Sequence, residues 1–343
     1  SSRRRTRAHA VRQASSASVE AMPTAFVTGG SGFVGGALIR RLSADGWTVR
    51  ALARSDRSAA AVAEAGAEAV RGDLDDVAAM RAGAEGADVF HHAAAKVEDY
   101  GDPADYERVT VQGTRNALGA ARDAGVPRFV HVGTEAALMA GQPLVNVDES
   151  APLRPDSPAP YPWSKAKAEQ AVRDANGTGI ETVVVRPRFV WGKGDSTLLP
   201  QIVSMVEAGK FAWIGGGGQL TSTSHIDNTV EGLVLAAERG RPGGVYFVTD
   251  GEPVVFREFV SDLIRTQGVQ PPTRTLPLGV ARAAAGASEA TWRLLRRKDH
   301  PPLTRFTVWV SALECTIDDS RARAEMGYRE IKTREQGLAE LRA

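Results

Sequence analysis

Cysteine is almost missing from this chain: Cys315 is the only one among 343 residues. No internal disulfide can form, and no cysteine-based metal centre can be built. A chain without disulfides suits a reducing compartment, so the expected location is the cytoplasm. Cys315 lies between Glu314 and Thr316, away from any motif, and reads as inert packing. Aromatic residues are few, at 6%. No apolar run reaches the roughly 18 residues that a membrane helix needs. A surplus of one charge is missing too, since the net charge is +1. That charge is unevenly spread. Residues 1–21 hold five arginines and one acid, Glu20, a balance of 5 − 1 = +4, which leaves 1 − 4 = −3 for the rest. The body has no basic surplus of the kind that nucleic-acid binding needs.

The segment 1–21 is rich in Ser, Ala and Arg and nearly without large apolar residues. An organelle transit peptide, a functional basic arm and a non-functional extension all fit that composition. Met22-Pro23 opens directly into an apolar run, as a natural start would. The extension is therefore read as non-functional and left out of the fold, and organelle import is the alternative.

What the chain does have is alternation. Thr24–Val27 is a short apolar run ending in glycines, a buried parallel strand. Further strands are expected at Trp47–Ala53, Ala67–Val70, Ala87–His91, Phe129–Val132 and Glu181–Arg186. Helices are expected at Gly32–Ser43, Ala59–Ala65, Val77–Gly83, Tyr106–Ala124 and Pro160–Asn176. Strands and helices in this order imply an α/β fold of Rossmann type: a doubly wound parallel sheet with ligand bound beyond the strand C-termini. After Pro187 the pattern loosens. Helices are expected at Leu198–Ala208, Phe256–Thr266 and Leu276–Arg297, and a buried strand at Val245–Val248. Gly215–Gly218 reads as a turn, without the strand-to-helix setting of a phosphate loop. The expected division is 22–186 for dinucleotide binding and 187–343 mainly for a smaller substrate-binding lobe, with some return to the sheet.

Two motifs carry the chemistry. The turn Thr28-Gly29-Gly30-Ser31-Gly32-Phe33-Val34-Gly35 follows a strand and opens a helix, the setting of a dinucleotide site. Gly29 permits the tight turn, Gly32 lets backbone approach a pyrophosphate, and Gly35 lets helix and strand pack. The helix N-terminus then offers free N–H groups to the phosphates. About 130 residues on stands Tyr161-Pro162-Trp163-Ser164-Lys165. Residues four apart share a helix face, so a phenol and an ammonium lie together. A free tyrosine titrates near ~10, and a nearby ammonium favours the phenolate. Lys165 would thus make Tyr161 a proton donor or acceptor near neutral pH. Thr134 would hold the same substrate oxygen. Plain alternatives are a strand-end cap for Thr134 and core packing for Tyr161.

The glycine spacing, Gly72-Asp73-Leu74, His91-His92-Ala93-Ala94-Ala95, Val111-Gln112-Gly113-Thr114, Val132–Ala136, Tyr161–Lys165 and Arg186-Pro187 together resemble the extended short-chain dehydrogenase/reductase superfamily. The resemblance runs from about Pro23 to the C-terminus. It implies that Ser31, Phe33 and Val34 join the glycines at the cofactor, with Asp73 on the adenine amine and Leu74 on the ring. It also implies room for the ribose at Ala93 and Ala94, a ribose contact for Lys165, and Arg186 and Pro187 beside the cofactor. The alternative for Asp73 is a cap for the following helix. One position departs from the family's habit: Thr110 stands where Asn is frequent. Arg54 ends the second strand, where an acid would suit NAD and an Arg suits the 2′-phosphate of NADP. NADP is therefore the preferred cofactor and NAD the alternative, with Asp56 two residues on. A homodimer built on two helices belongs to what the resemblance implies.

Within the superfamily, Pro301–Arg305, Met326-Gly327-Tyr328 and Gly133–Leu138 look similar to the 3β-hydroxysteroid dehydrogenase-like branch. That implies oxidation or reduction of a secondary alcohol or ketone on a bulky, apolar small molecule. Nucleotide-sugar epimerase or dehydratase chemistry is the first alternative, and a silent NAD(P)-binding protein the second. Sugar dehydratases carry two acids after the hydroxyl residue, but here Glu135 is followed by Ala136. Phe189 stands where sugar-nucleotide enzymes commonly place Asn. Glu135, Phe189 and Trp191 are the substrate-side candidates, with Trp213, Trp292 and Trp309 as further apolar wall. No metal site is expected, because His91 and His92, adjacent on a strand, point to opposite faces. His225 reads as structural, ahead of a helix capped by Asp227.

Overall fold

The computed structural model describes residues 22–297 and 299–342. The expectation for residues 1–21 lies outside these. Seven parallel strands form the central sheet: β1 (Thr24–Thr28), β2 (Thr48–Ala53), β3 (Glu68–Arg71), β4 (Val89–His92), β5 (Arg128–Val132), β6 (Glu181–Pro187) and β7 (Val245–Val248). Their spatial order is β7-β6-β5-β4-β1-β2-β3. The chain winds outward from β1 to β3, crosses back, and winds the other way from β4. The reversal lies between β1 and β4, where Val27 pairs with His91 on one side and Ala51 on the other. Ligands of such sheets bind at that reversal, beyond the strand C-termini.

Alternation along each strand builds two cores. Ala25 and Val27 face one side. Phe26 faces the other, where Phe26, Phe90 and Phe129 stack in sequence with centroids 4.9 and 5.1 Å apart. Helices α1 (Phe33–Ala44), α2 (Asp56–Glu64), α3 (Val77–Ala84), α4 (Gly113–Asp123) and α5 (Pro160–Ala175) connect the first six strands. Pro160 opens α5 at a first-turn position, where its missing N–H is not needed.

The second half supplies α6 (Leu198–Glu207), α7 (Ile226–Arg239), α8 (Phe256–Thr266), α9 (Leu278–Leu294) and α10 (Arg305–Ala312). It also returns β7 to the sheet edge beside β6. A four-stranded sheet of Val254–Val255, Leu220–Thr221, Cys315–Ile317 and Leu144–Val147 draws on both halves of the sequence.

Three local expectations are corrected. The single helix over Tyr106–Ala124 is broken by a π-helical stretch, Glu107–Gln112, ahead of α4. There Thr110 Oγ1 accepts from Lys96 N at 3.0 Å, and its carbonyl accepts from Thr114 Oγ1 at 2.7 Å. Thr110 thus ties down the loop after β4 without an Asn. The helix expected over Leu276–Arg297 is shorter. Pro277 precedes it, and Arg296 at φ +49° lies beyond its end. At α7 the cap is His225, whose Nδ1 accepts from Asp227 N at 3.1 Å, rather than Asp227.

Candidate active site

A cavity of about 660 Å³ opens at the C-terminal ends of β1, β4, β5 and β6. Its cofactor side begins at the glycine turn. Gly29 has φ +75°, and a Cβ there would stand 2.6 Å from Ala94 N. A Cβ on Gly35 would stand 2.3 Å from Gly29 O. No larger residue fits either position, so turn, α1 and the β4 loop close on one another. Gly32 caps α1 without any side-chain bond, which leaves the first-turn N–H groups unsatisfied by the chain. These groups face a cavity lined by Gly29, Ser31, Gly32, Phe33, Val34 and Gly35. A pyrophosphate answers both the free donors and the helix dipole, so the residues present fit a dinucleotide.

Arg54, Asp73, Leu74, Ala93 and Ala94 also line this cavity. Arg54 is exposed and has no acidic partner among the described residues. Asp56 is engaged with Arg71 at 2.9 Å. Asp73 is not the helix cap, for Asp76 caps α3 through Ala79 N at 2.9 Å. Asp73 accepts only from Asp75 N nearby, at 2.9 Å.

The other end holds Thr134, Glu135, Tyr161, Lys165, Pro187 and Phe189. Lys165 is buried and its Nζ donates to Val132 O at 2.7 Å. Burial brings its ammonium down to about 8, with Glu169 opposing. Tyr161 is half-buried, its ring 5.4 Å from Phe306, and it lines the cavity together with Thr134. Burial first, then the Glu135 carboxylate, push its phenol above the ordinary value. The expectation that Lys165 draws the phenol down is thus opposed by burial here. Thr134 caps the short helix Glu135–Leu138, accepting from Ala136 N at 3.2 Å. It donates to Glu135 Oε2 at 2.7 Å.

Five candidates are elsewhere: Arg186, Trp191, Trp213, Trp292 and Trp309 do not line the cavity. Arg186 is fully buried on β6, its Nε donating to Glu169 Oε2 at 2.9 Å, with Phe247 against the guanidinium. Trp191 is buried too, its Nε1 donating to Asp250 Oδ2 at 2.8 Å. Trp213 donates to Pro272 O, and Trp309 packs in the core against which Tyr161 and Phe306 rest, outside the cavity itself. The apolar wall is instead Val97, Leu198, Phe306 and Val310, together with Phe189. Sequence reasoning missed these four and Arg188, which also lines the cavity. Phe306 and Val310 sit on α10, four apart on one face, a spacing that could have marked them.

The histidines do not converge on a metal. His92 bridges Thr28 and Thr114 at 2.7 and 3.0 Å, while both nitrogens of His91 are buried without partners. Burial holds both at about 3, so they are neutral. His225, Asp227 and Glu340 do approach one another, but the Lys332 ammonium already stands 3.2 Å from Asp227 and bonds Glu340.

The sequence profile of the 3-beta hydroxysteroid dehydrogenase/isomerase family matches residues 26–278. The chain belongs to that family. It is an oxidoreductase of the extended short-chain dehydrogenase/reductase type. It is 46% identical over 317 residues to the 4-hydroxy-2-methyl-3-oxo-4-farnesyl-3,4-dihydroquinoline-1-oxide ketoreductase of Stigmatella aurantiaca, covering 92% of this chain and 95% of that protein. It is 34% identical to the 2-alkyl-3-oxoalkanoate reductase of Stenotrophomonas maltophilia, over 92% of this chain and 98% of the relative. Among solved structures, gox2253 superposes with a TM-score of 0.75 at 28% identity, covering 93% of this chain and 98% of that one.

Proposed function

We propose that this protein is an NAD(P)H-dependent ketoreductase that turns a ketone on a bulky, largely apolar substrate into a secondary alcohol. One observation carries the reading. Tyr161, Thr134 and Lys165 line one end of a cavity whose other end is the glycine turn, and much of the wall between them is apolar. Relatives that share nearly the whole chain are named as reductases of a farnesylated oxo-dihydroquinoline oxide and of 2-alkyl-3-oxoalkanoates.

A nicotinamide cofactor, held by the glycine turn and Lys165, would supply the hydride for the carbonyl carbon. Tyr161 O–H gives the proton to the carbonyl oxygen, so one hydride and one proton convert ketone to alcohol. Lys165 lies one helical turn below Tyr161. Its ammonium donates to Val132 O and would hold the ribose of a bound cofactor, and its charge favours the phenolate left behind. Phe189, Phe306 and Val310 exclude water, which strengthens each charge interaction inside. Arg54, exposed and unpaired at the end of β2, favours the 2′-phosphate of NADP.

Tyr161→Phe keeps the ring and its contact with Phe306. Turnover with NADPH and a bulky ketone should fall by roughly 10²–10⁴-fold, with melting temperature nearly unchanged. Near-normal reduction would remove Tyr161 as the acid. Full conversion of a nucleotide sugar at constant cofactor absorbance would replace net reduction by epimerase or dehydratase chemistry.

A further inference from the structure

Thr134 has one proton to give, since a hydroxyl carries a single O–H donor. That proton is directed at Glu135 Oε2, at 2.7 Å. The other carboxylate oxygen accepts from Arg188 Nη1 at 2.8 Å. The Glu135 and Arg188 side chains are only 4% and 2% exposed, and both residues line the cavity. Arg188 is braced further by Thr221 Oγ1 at 3.3 Å. Buried ion pairs are costly, and an apolar pair of similar volume often serves stability as well or better. A pair kept beside the reacting centre therefore points to a polar group on the substrate.

We propose that Glu135, held by Arg188, selects ketones that carry a hydrogen-bond donor, above all a hydroxyl, on the carbon next to the carbonyl. The inference rests on the ketoreductase reading and names its substrate class. An ionised carboxylate accepts at about four lone-pair sites, and the bonds from Thr134 and Arg188 use two of them. A group arriving there meets an acceptor. Thr134 Oγ1 and Glu135 Oε2 are neighbours in hydrogen-bond contact, as the two oxygens of an α-hydroxy ketone are neighbours on adjacent carbons. With the ketone oxygen at Tyr161 and Thr134, the adjacent hydroxyl falls at Glu135.

This arrangement bears on rate as well as on binding. The substrate hydroxyl donates to Glu135 and takes the place of the Thr134 hydroxyl, whose proton then turns to the ketone oxygen. The substrate thereby completes the second donor of the site. The hydroxyl keeps its own proton; only the proton from Tyr161 and the hydride are transferred. A ketone without the hydroxyl leaves Thr134 turned to Glu135 and has Tyr161 as its one donor. An anionic β-keto acid brings like charge to Glu135, while Arg188 is already engaged.

The test compares benzoin, its O-methyl ether and deoxybenzoin, with benzoylacetate as the anionic ketone, each with NADPH and with NADH. Benzoin should exceed its ether and deoxybenzoin about ten- to a hundredfold in kcat/KM, the scale of a hydrogen bond to a charged group. Part of that difference should appear in kcat. In the double variant Glu135→Leu with Arg188→Met, which removes the acceptor and its buried counter-charge together, the three neutral ketones should converge. Equal kcat/KM for the three on the unaltered protein overturns the role of Glu135 and leaves the ketoreductase reading standing. So does a preference for benzoylacetate over benzoin. If the double variant does not fold, the comparison on the unaltered protein decides alone. Reduction of none of the four ketones with either cofactor overturns the ketoreductase reading and this inference together.

Discussion

Arg186 and Arg188 stand two apart around the end of β6, yet they belong to different parts of the molecule. Arg186 meets Glu169 on α5 in a pair with 0% and 1% side-chain exposure. Arg188 lies past the strand end and reaches Glu135 at the cavity. Breaking a buried pair by removing one partner strands the other charge, which costs about 3–5 kcal/mol. Glu169→Gln should therefore lower the urea midpoint by that equivalent at unchanged slope, with little effect on cofactor affinity measured well below the Lys165 value of about 8, where its ammonium does not need the support of Glu169. Weakened cofactor binding at normal stability would return Arg186 to the cofactor. Arg54 allows the opposite split, because it is exposed and holds nothing together. A bidentate phosphate contact is worth roughly 1.5–3 kcal/mol. Arg54→Ala should weaken NADPH binding by that amount and leave NADH binding and melting temperature alone. Equal loss for both cofactors would show that Arg54 does not read the 2′ position.

Among the elements, the loop after β4 and helix α10 are joined across the cavity mouth. Asp99 accepts from Thr304 Oγ1 and Thr307 Oγ1, each at 2.7 Å, and from His300 Nε2. Thr304 is also the cap of α10, accepting from Thr307 N at 3.0 Å. The joint thus positions Phe306 and Val310, while Val97 lines the cavity from the loop. Burial works against the Asp99 carboxylate, yet bonds from His300 and Thr304 hold it below its ordinary value. The bond to Asp99 raises His300. The signs follow from linkage. The His300 contribution is fully present below the unfolded value near 6.5 and is lost as pH rises through its raised folded value. That of Asp99 is present above its unfolded value and lost as pH falls through its depressed one. Amide exchange over residues 96–102, corrected for intrinsic rate, should accelerate as pH rises past the His300 transition. His300→Ala should remove that dependence. Unchanged protection across the transition in the unaltered protein would show that His300 does not hold the loop.

At the scale of the whole molecule, both halves of the sequence contribute to the sheet and its core. β7 and α7 come from the second half, and Val230, Leu233, Tyr246 and Val248 complete the core beneath β1 and β6. The strand Leu144–Val147 goes the other way, pairing with Cys315–Ile317. A fragment of residues 22–187 would keep the glycine turn, Tyr161 and Lys165 but expose β6 as an edge. It should show no cooperative thermal transition and should associate, as seen by circular dichroism and sedimentation. A sharp transition in a monomeric fragment would make the second half dispensable for folding. No helix among the described residues is long and apolar enough to cross a membrane.

Local chemistry was legible from the sequence wherever its period is short. The glycine turn follows from backbone sterics over eight residues. Tyr161 and Lys165 share a face because helix geometry puts i and i+4 together. The order of strands and helices implies a parallel sheet by the same kind of local rule. The side chains that aim into the cavity could not be read this way. A period of two says that Arg186 and Trp191 alternate with their neighbours, but not which face is cavity and which is core. That is decided by partners far along the chain, Glu169 for one and Asp250 for the other. The acceptor set at Glu135 has the same origin. Arg188, 53 residues away, reaches it only because β5 and β6 lie side by side in the folded sheet. A buried charge needs its partner within hydrogen-bond distance, and only the tertiary fold sets that distance.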